Sequence, residues 1–270
     1  MSPWLELCRS CVADIEQTLK QLPTRMEREP ILRRGEGGDD TTAIDQAAED
    51  AVVSRLEASG ESFVLVSEEL GTRMFGTGGR QVVVVDPIDG SVNAKRGIPF
   101  FSFSLAVADG PTMGEVKFGF VHDFGSGEEW TATRDQGAYL NGARLGAVKP
   151  KETVEILSFE GTTARAISEH AARVAEVAER FRVMGSLALS LCHLAAGRVD
   201  AVCSLKEARS VDIAAAQLLV SECGLALELF EDPPVDAAPL DLVPRSRLAA
   251  AGTPALVEEL VRALSPKPLR

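Results

Sequence analysis

The stretch from Val82 to Ser91 constrains this chain more than any other. It is VVVVDPIDGS, four consecutive valines followed at once by two aspartates and a serine. Four β-branched apolar residues in a row predict a short buried strand. Strand faces alternate every second residue, so Asp86 and Asp89 reach one point only if the chain turns there. Pro87 and Gly90 favour such a turn. The stretch therefore predicts a buried strand that ends in a tight acidic turn.

An acidic turn of this kind suits a hard cation. The carboxylates of Asp86 and Asp89 and the backbone carbonyl of Ile88 would supply oxygen ligands, the type that Mg²⁺ prefers. An ordinary Asp-Pro turn would also explain the stretch if it stood alone. The same signal recurs elsewhere, because other acidic residues follow an apolar run or begin a helical segment: Glu68, Glu69, Asp45 and Asp212.

Each of these further acidic sites has a simple structural explanation. Glu68 and Glu69 could be a solvated turn. Asp45 could be a first-turn charge that the helix dipole favours, and Asp212 could be an N-cap. Their occurrence together with the acidic turn after Val85 instead favours a single converging metal-binding cluster.

The order of these motifs resembles that of the inositol monophosphatase family. The family pattern is Gly-Glu-Glu, then DPIDGT or DPIDGS followed by x-N, then WDxAAG. The corresponding segments here are 67–69 (SEE), 86–93 (DPIDGSVN) and 211–216 (VDIAAA). Ser67 and Val211 replace the family's Gly and Trp, at positions that are not ligands. The resemblance extends from about residue 34 to about residue 224.

The resemblance implies a fold and an activity. The fold is a five-layered α-β-α-β-α sandwich, where periodicity alone indicates only mixed α and β structure. We expect an N-terminal α+β domain, 1–147, with most metal ligands, and a C-terminal α/β domain, 148–270, with Asp212 and the substrate-side residues. The implied activity is Mg²⁺-dependent hydrolysis of a phosphomonoester by metal-activated water. The segments SEEL, IDGS, GIPFF and GAYLNG are closest to the archaeal-type branch, which is associated with inositol 1-phosphate and fructose 1,6-bisphosphate.

The resemblance also implies residue roles, with two or three Mg²⁺ ions per site. The implied metal ligands are Glu68, Asp86, the Ile88 carbonyl, Asp89 and Asp212. The implied catalytic residues, close to the attacking water and a third, weaker metal, are Glu69, Ser91 and Asp45. The implied substrate-binding residues are Asp89, Gly90, Ser91, Arg182, Leu187, Lys206 and Arg209. Arg34 has the spacing of a family basic residue and is a further candidate in the metal loop.

The segment before Asp212 bears on the substrate. Inositol-specific members tend to place a Glu seven residues before this Asp, and Leu205 stands there in this chain. Lys206 and Arg209 would instead suit the second phosphate of a bisphosphate, as in the archaeal-type branch. The match is offset by one residue at Lys206, and solvated loop charges are the alternative explanation.

Composition excludes several other classes of function. The chain has 270 residues, 45% of them hydrophobic, which is enough for a substantial core. A net charge of −12 argues against nucleic acid or an anionic membrane as a partner. The five cysteines are scattered in apolar contexts, which predicts reduced thiols and a cytoplasmic protein. The chain contains no apolar stretch of about 18 residues, so no membrane span is expected. Family members are usually dimers, so a homodimer is expected.

Several weaker predictions and alternatives remain. Periodicity predicts a helix over 165–181, and glycine content predicts mobile loops over 24–40 and 71–80, the latter beside the site. Within the same superfamily, 3′-phosphoadenosine 5′-phosphate or histidinol phosphate are alternative substrates. From another class, the chain could be an inactive family member that acts as a regulatory binding partner, which predicts broken metal ligands.

Overall fold

The computed structural model describes residues 3–146, 149, 151–160, 163–243 and 246–265. Its α-helices are α1 (Pro3–Gln21), α2 (Arg25–Arg28), α3 (Ala43–Ala58), α4 (Ser91–Arg96), α5 (Ala164–Val177), α6 (Leu187–Ala195), α7 (Ser210–Glu222) and α8 (Pro254–Leu264). Its strands are β1 (Ile31–Arg34), β2 (Asp40–Thr42), β3 (Phe63–Ser67), β4 (Gly71–Phe75), β5 (Val82–Asp89), β6 (Ser102–Ala108), β7 (Val116–Asp123), β8 (Glu129–Thr133), β9 (Gly137–Leu140), β10 (Ala143–Arg144), β11 (Val154–Glu160), β12 (Ala178–Arg182), β13 (Ala201–Ala208), β14 (Ala226–Leu229) and β15 (Ser246–Ala251).

The strands form two main sheets and a hairpin. The larger sheet has the order β10-β9-β8-β7-β6-β5-β3-β4, and the smaller has the order β12-β11-β13-β15-β14. In the larger sheet β3 and β5 are parallel, while β5 and β6 are antiparallel. Strands β1 and β2 pair with each other as a separate hairpin. No described helix has the length and apolarity needed to cross a bilayer.

Helices cover both faces of each main sheet. Helices α1 and α3 pack on each other and on the outer face of the larger sheet, with Ile15, Ile44 and Phe103 in the core between them. Helices α6 and α7 lie between the two sheets, around Trp130 and Leu219. Helices α5 and α8 cover the outer face of the smaller sheet. This order of layers confirms the predicted α-β-α-β-α sandwich. The predicted domain boundary between residues 147 and 148 lies outside the described residues.

Three predicted segments differ from the structure. The predicted loop 71–80 begins with β4, which pairs with β3 along its whole length, and Arg73 in it forms an ion pair with Glu57. The predicted loop 24–40 contains α2 and β1. The predicted helix 165–181 ends at Val177, because the chain then pairs in parallel with β11 as β12. Strand pairing explains β1, β4 and β12, because β1 forms a hairpin with β2, β4 forms a hairpin with β3, and β12 pairs with β11.

The site is positioned by the end of β5. The four valines are buried in β5 as predicted, but the strand continues through the two aspartates to Asp89, and all eight of its residues are buried. Its pairing with β6 becomes irregular between Asp86 and Asp89, where the predicted turn begins. Gly90 then adopts a φ of 93° and caps α4. Added at this glycine, a Cβ would lie 3.0 Å from the carbonyl oxygen of Gly185, so the turn requires glycine for both conformation and space.

Candidate active site

A cavity of about 610 Å³ opens at the end of β5. The residues that line it lie in or directly next to β3, β5, α4, β11, β13 and α7. Four carboxylates from three separate segments line it, and we call them the acidic floor: Glu68, Asp86, Asp89 and Asp212. The predicted metal-ligand side chains therefore do come together, and the Ile88 residue whose carbonyl was predicted as a ligand also lines the cavity.

The acidic turn holds its own side chains in place. Asp86 is 2% exposed, and its Oδ1 accepts a hydrogen bond of 2.9 Å from the backbone N–H of Ile88. The hydroxyl of Ser91 donates to the Ile88 carbonyl at 3.0 Å. Asp89 is 8% exposed, and its Oδ2 accepts from the Ser186 hydroxyl at 2.5 Å and from a backbone N–H of α6 at 2.9 Å. Both of these bonds use Oδ2 of Asp89, and its other carboxylate oxygen takes no part in them.

The two neighbouring acidic residues lie on the outer side of this floor. The carboxylate of Glu69 accepts a hydrogen bond from the hydroxyl of Thr41. Asp45 lies in the first turn of α3, where its Oδ2 accepts from the backbone N–H of Thr42 at 3.0 Å and from the Thr42 hydroxyl at 2.6 Å. Its other oxygen, Oδ1, is buried and has no hydrogen-bond partner among the described residues. Both Glu69 and Asp45 line the cavity, as predicted for residues close to the reacting water.

Burial and mutual repulsion dominate the electrostatics of the floor. Burial raises the pKa of Glu68 to about 8, against the favourable charge of Arg209 and in the same direction as the charge of Asp212. Burial, with the charges of Glu68 and Asp89, raises the pKa of Asp86 well above its usual range. Burial also raises the pKa of Asp89 to about 7, although the hydrogen bond from Ser186 opposes the shift. The floor therefore favours protons or another cation over four free negative charges.

The chemistry of the floor fits a divalent cation. Its donors are all carboxylate oxygens, together with the carbonyl of Ile88, and hard divalent cations prefer oxygen ligands. Asp45 also lines the cavity, and its buried Oδ1 has no hydrogen-bond partner among the described residues. Within the described ranges, however, no three acidic, histidine or cysteine side chains already surround a common point as metal ligands do.

A guanidinium group reaches into the floor. Arg209 is 5% exposed, and its Nη2 lies 2.7 Å from Oε1 of Glu68 and 3.0 Å from Oδ1 of Asp212. Its backbone N–H also donates to Oδ2 of Asp212 at 2.7 Å. Burial by itself lowers the pKa of Arg209, but the charges of Asp212 and Glu68 outweigh burial and raise it. Arg209 thus lines the cavity as predicted, but its contacts are with the predicted metal ligands.

The remaining predicted substrate residues divide into two groups. Gly90, Ser91, Leu187 and Lys206 line the cavity. Arg182 lies outside it on the edge strand β12, where its exposed guanidinium donates to the carbonyl of Phe181 at 2.9 Å. The structure therefore does not bring Arg182 together with the other predicted site residues.

Arg34 is also exposed on the hairpin and does not line the cavity. The adjacent Arg33 contacts the site instead, because its Nη1 donates to the backbone carbonyl of Glu69 at 2.9 Å and its Nε to Gln46 at 2.9 Å. The residue that contacts the site is therefore one position before the predicted Arg34. Neighbouring side chains on a strand point in opposite directions, so a shift of one residue turns the side chain away from the site.

The family comparison decides among the possible identities of this arrangement. The family model described as the inositol monophosphatase family matches residues 6–268. The chain belongs to the inositol monophosphatase family. This membership confirms the family and the sugar-phosphate phosphatase class that the motifs predict, and the family is metal-dependent.

Relatives and solved structures agree with this membership. A fructose-1,6-bisphosphatase/inositol-1-monophosphatase of Methanothermobacter thermautotrophicus is 32% identical over 97% of this chain and 96% of its own length. A Nus factor SuhB of Pasteurella multocida is 34% identical over 69% of this chain and 70% of its own length. A solved structure of an inositol monophosphatase-fructose 1,6-bisphosphatase has a TM-score of 0.83 and 26% identity, and covers 97% of this chain and 100% of that one.

Sequence reasoning missed the residues that hold the turn 183–187 against the floor. Glu160, at the end of β11, is 1% exposed and lines the cavity. Its carboxylate accepts from the backbone N–H groups of Met184 at 3.2 Å and Gly185 at 2.7 Å. From the other side, Nδ2 of Asn93 donates to the carbonyl of Met184 at 2.7 Å. A Glu at the end of an apolar strand is the signal that identified Glu68, and the same signal could have identified Glu160.

A lysine on α4 was also missed. Lys95 lines the cavity together with Lys206, and we call these two side chains the basic rim. Lys95 lies four residues after Ser91, so one helical turn returns it to the same face of α4. That periodicity was available in the sequence once α4 was placed directly after the acidic turn.

Proposed function

We propose that this chain is a Mg²⁺-dependent phosphatase that hydrolyses inositol 1-phosphate, fructose 1,6-bisphosphate or both. The observation that carries the proposal is the convergence of four buried carboxylates on one cavity of about 610 Å³. Relatives named for both of these activities support the choice of substrates. A phosphomonoester is an anion, and an acidic cavity accepts it only when cations neutralise the carboxylates.

The acidic floor supplies the ligands for two ions in this proposal. Glu68, Asp86 and the carbonyl of Ile88 would hold one ion, and Asp86, Asp89 and Asp212 would hold the other. A third, weaker ion would lie near Glu69 and Asp45. When bound, Mg²⁺ supplies charge neutralisation for the phosphate, acidifies a water and stabilises the leaving alkoxide.

The chain's own residues position the attacking water and receive its proton. Asp45 lines the cavity, and its Oδ1, which has no hydrogen-bond partner among the described residues, keeps lone pairs that could accept a hydrogen bond from that water. Glu69 lies beside it, and burial raises the pKa of Glu69, so its carboxylate holds a proton more readily than an exposed glutamate does. The hydroxyl of Ser91, which now donates to the carbonyl of Ile88, can also orient the water.

The substrate is held on the opposite side of the cavity. Gly90 and Ser91, at the start of α4, would hold phosphate oxygens through their backbone N–H groups. Leu187 and the turn at Gly185 line the cavity where the ring of a polyol or sugar would lie. The buried contacts of Glu160 with this turn fix its position before substrate arrives.

A second phosphate requires a cation that is not already neutralised. Arg209 is 6% exposed and is paired with three carboxylates, those of Glu68, Asp212 and Asp39. Lys206 is 58% exposed, and its Nζ has a contact of 3.5 Å with Asp39. We therefore assign recognition of a second phosphate to Lys206 in preference to Arg209. Lys95, the other lysine of the basic rim, would assist it.

Assembly and compartment belong to the same proposal. We propose a homodimer in the cytoplasm, with no nucleic acid or membrane as partner. All five cysteines are free, and four of them are buried, which suits a reducing compartment. Light scattering on the purified protein tests the dimer directly, and a mass of one chain would refute it.

A substrate panel tests the proposed function. Purified protein with Mg²⁺ is assayed for phosphate release from inositol 1-phosphate, fructose 1,6-bisphosphate, 3′-phosphoadenosine 5′-phosphate and histidinol phosphate. The expected result is that one or both of the first two substrates has the highest kcat/KM. Preference for either of the last two would reassign the substrate, and no turnover on any would favour the regulatory-partner alternative, which the intact acidic floor argues against.

A further inference from the structure

The most unusual feature of the cavity is that a cation of the chain itself occupies the acidic floor. The guanidinium of Arg209 contacts Glu68 through Nη2 and Asp212 through both Nη2 and Nε, the last at 3.3 Å. Its side chain is only 6% exposed. A buried guanidinium is costly unless its donors are paired, so these carboxylates are what keep it there.

The oxygens that Arg209 uses are those that a metal would need. Under the proposed function, Glu68 and Asp212 are ligands of two different ions, and the guanidinium lies between them. Mg²⁺ requires oxygens at about 2.1 Å in near-octahedral geometry. A positive guanidinium at hydrogen-bond distance from these oxygens would repel the ion, and its N–H groups would occupy the lone pairs of the oxygens.

We propose that Arg209 is the built-in counter-ion of the metal-free site, and that metal binding requires its guanidinium to leave Glu68 and Asp212. This inference rests on the proposed function, because it takes both residues as metal ligands. In the metal-free protein Arg209 neutralises part of the floor and lowers the repulsion among its carboxylates. In exchange, it competes with the metal for their oxygens.

The guanidinium of Arg209 also contacts the turn 35–39, so its departure from the floor affects a contact with that turn. Nη1 of Arg209 donates to the carbonyl of Gly37 at 3.3 Å, and the backbone N–H of Gly37 donates to the carbonyl of Glu68 at 2.9 Å. Packing is close here, because a Cβ added at Gly37 would lie 2.6 Å from Nη1 of Arg209. The guanidinium therefore links the acidic floor to this turn, and its displacement would break its bonds to both.

The proposal is testable because two explanations of the Arg209 contacts predict opposite changes in Mg²⁺ affinity when Arg209 is replaced. If Arg209 competes with the metal, its removal strengthens Mg²⁺ binding and destabilises the metal-free protein. If Arg209 instead supports the metal ligands from behind, its removal weakens Mg²⁺ binding. Substitution by glutamine removes the charge and keeps a polar side chain in the cavity.

The experiment is calorimetric titration of Mg²⁺ into metal-stripped wild type, Arg209→Gln and Arg209→Lys, with thermal unfolding of each without metal. The expected Mg²⁺ Kd of Arg209→Gln is about tenfold lower than that of wild type, about 1.4 kcal/mol. The metal-free Tm should fall, and the rise in Tm on adding Mg²⁺ should grow. Arg209→Lys, whose point charge cannot pair with both carboxylates as a fork, should shift in the same direction by less, and it carries the test if the glutamine variant does not fold.

Lys206→Gln is the matched control, because it removes an equal charge from the basic rim without touching the floor. Its effect on the Mg²⁺ Kd should be well below that of Arg209→Gln. An unchanged or weaker Mg²⁺ affinity in Arg209→Gln, or an equal gain in Lys206→Gln, would overturn the inference. Wild type that binds no Mg²⁺ would instead refute the proposed function, so the two failures are distinguishable.

Discussion

The acidic floor and the basic rim face the same cavity but are held in different ways. Asp86 and Asp89 of the floor are 2% and 8% exposed, and each accepts hydrogen bonds from backbone N–H groups. Lys206 of the rim is 58% exposed and makes a single ion pair of 3.5 Å among the described residues. The floor is therefore fixed by the fold, whereas the rim is a surface feature that sequence change can alter at little cost in stability.

This contrast separates two parts of the proposed activity. Chemistry that depends on cations requires groups that stay in position, and the buried ends of β3 and β5 and the start of α7 provide them. Choice among phosphorylated polyols depends on the charge at the open side of the cavity. Substitutions in the floor should therefore act on turnover with every substrate, and substitutions in the rim should act on KM for particular substrates.

The largest expected effect is that of Asp89→Asn. The substitution preserves the shape of the side chain and an oxygen for the hydrogen bond from α6, but removes one negative charge from the floor. We expect kcat to fall by at least about 10²-fold with both substrates, about 2.7 kcal/mol of barrier. Steady-state phosphate release measures it. Near-wild-type turnover would remove Asp89 from the proposed ligands.

Asp123→Asn is the control for this change. Asp123 is 4% exposed on β7, so it is as buried as Asp89. Among the described residues, its carboxylate oxygens accept only from Gly125 and Ser126 of its own turn. The same chemical change outside the cavity should leave kcat within about twofold. A large loss in both variants would indicate a general effect of removing a buried carboxylate.

The next effect is that of Glu160→Gln, which acts through the turn 183–187. One carboxylate oxygen becomes an amide group, so a buried donor such as the N–H of Gly185 loses its acceptor, which costs about 1–3 kcal/mol. We expect KM to rise by about tenfold, while kcat and the Mg²⁺ Kd change much less. Kinetics and calorimetry together test this positioning role. If the Mg²⁺ Kd changed as much as KM, Glu160 would belong to the metal site instead.

A smaller effect is expected for Lys206→Ala, and only with a bisphosphate. An exposed ion pair is worth about 1 kcal/mol or less, so KM for fructose 1,6-bisphosphate should rise by up to about fivefold. KM for inositol 1-phosphate should stay unchanged, because its phosphate lies at the floor. Lys117→Ala, an exposed lysine paired with Asp109 outside the cavity, is the control. Equal shifts for both substrates would contradict recognition of a second phosphate by Lys206.

The smallest effect is expected for Arg182→Ala. Its guanidinium is exposed on β12 and contacts a backbone carbonyl away from the cavity. Surface substitutions of this type change free energies by about 0.5 kcal/mol or less, so kcat/KM should stay within about twofold for both substrates. A tenfold loss would restore the substrate role that the sequence motif assigned to Arg182.

The contrast between the buried floor and the exposed rim also explains which parts of the structure the sequence predicts well. The apolar run ending before Ser67 predicts a strand over 63–67, and β3 is Phe63–Ser67. The segment 43–58 predicts a helix, and α3 is Ala43–Ala58. Residues at the ends of such strongly patterned elements, among them Asp86 and Asp212, are positioned by the core, so motif and burial pattern together locate them. Strand β4 was missed because GTRMF has no apolar alternation, and only its pairing with β3 identifies it.

Pairings between distant residues set the limit of prediction in the site. The sequence order places Arg209 near Asp212, but it does not show that the guanidinium turns toward Glu68 rather than toward the open cavity. The position of Arg182 could not be predicted for a related reason, because the direction of its side chain depends on the parallel pairing of β12 with β11. Side chains whose partners come from other segments therefore required the structure.

The central claim is that the acidic floor binds the cation on which hydrolysis depends. The most direct test is the rate of phosphate release from inositol 1-phosphate and fructose 1,6-bisphosphate by metal-stripped protein, measured as Mg²⁺ is added back. We predict no release above the blank without Mg²⁺ and a saturable rise with it for at least one substrate. Equal rates with and without Mg²⁺, or no release of phosphate from either substrate at saturating Mg²⁺, would contradict the account.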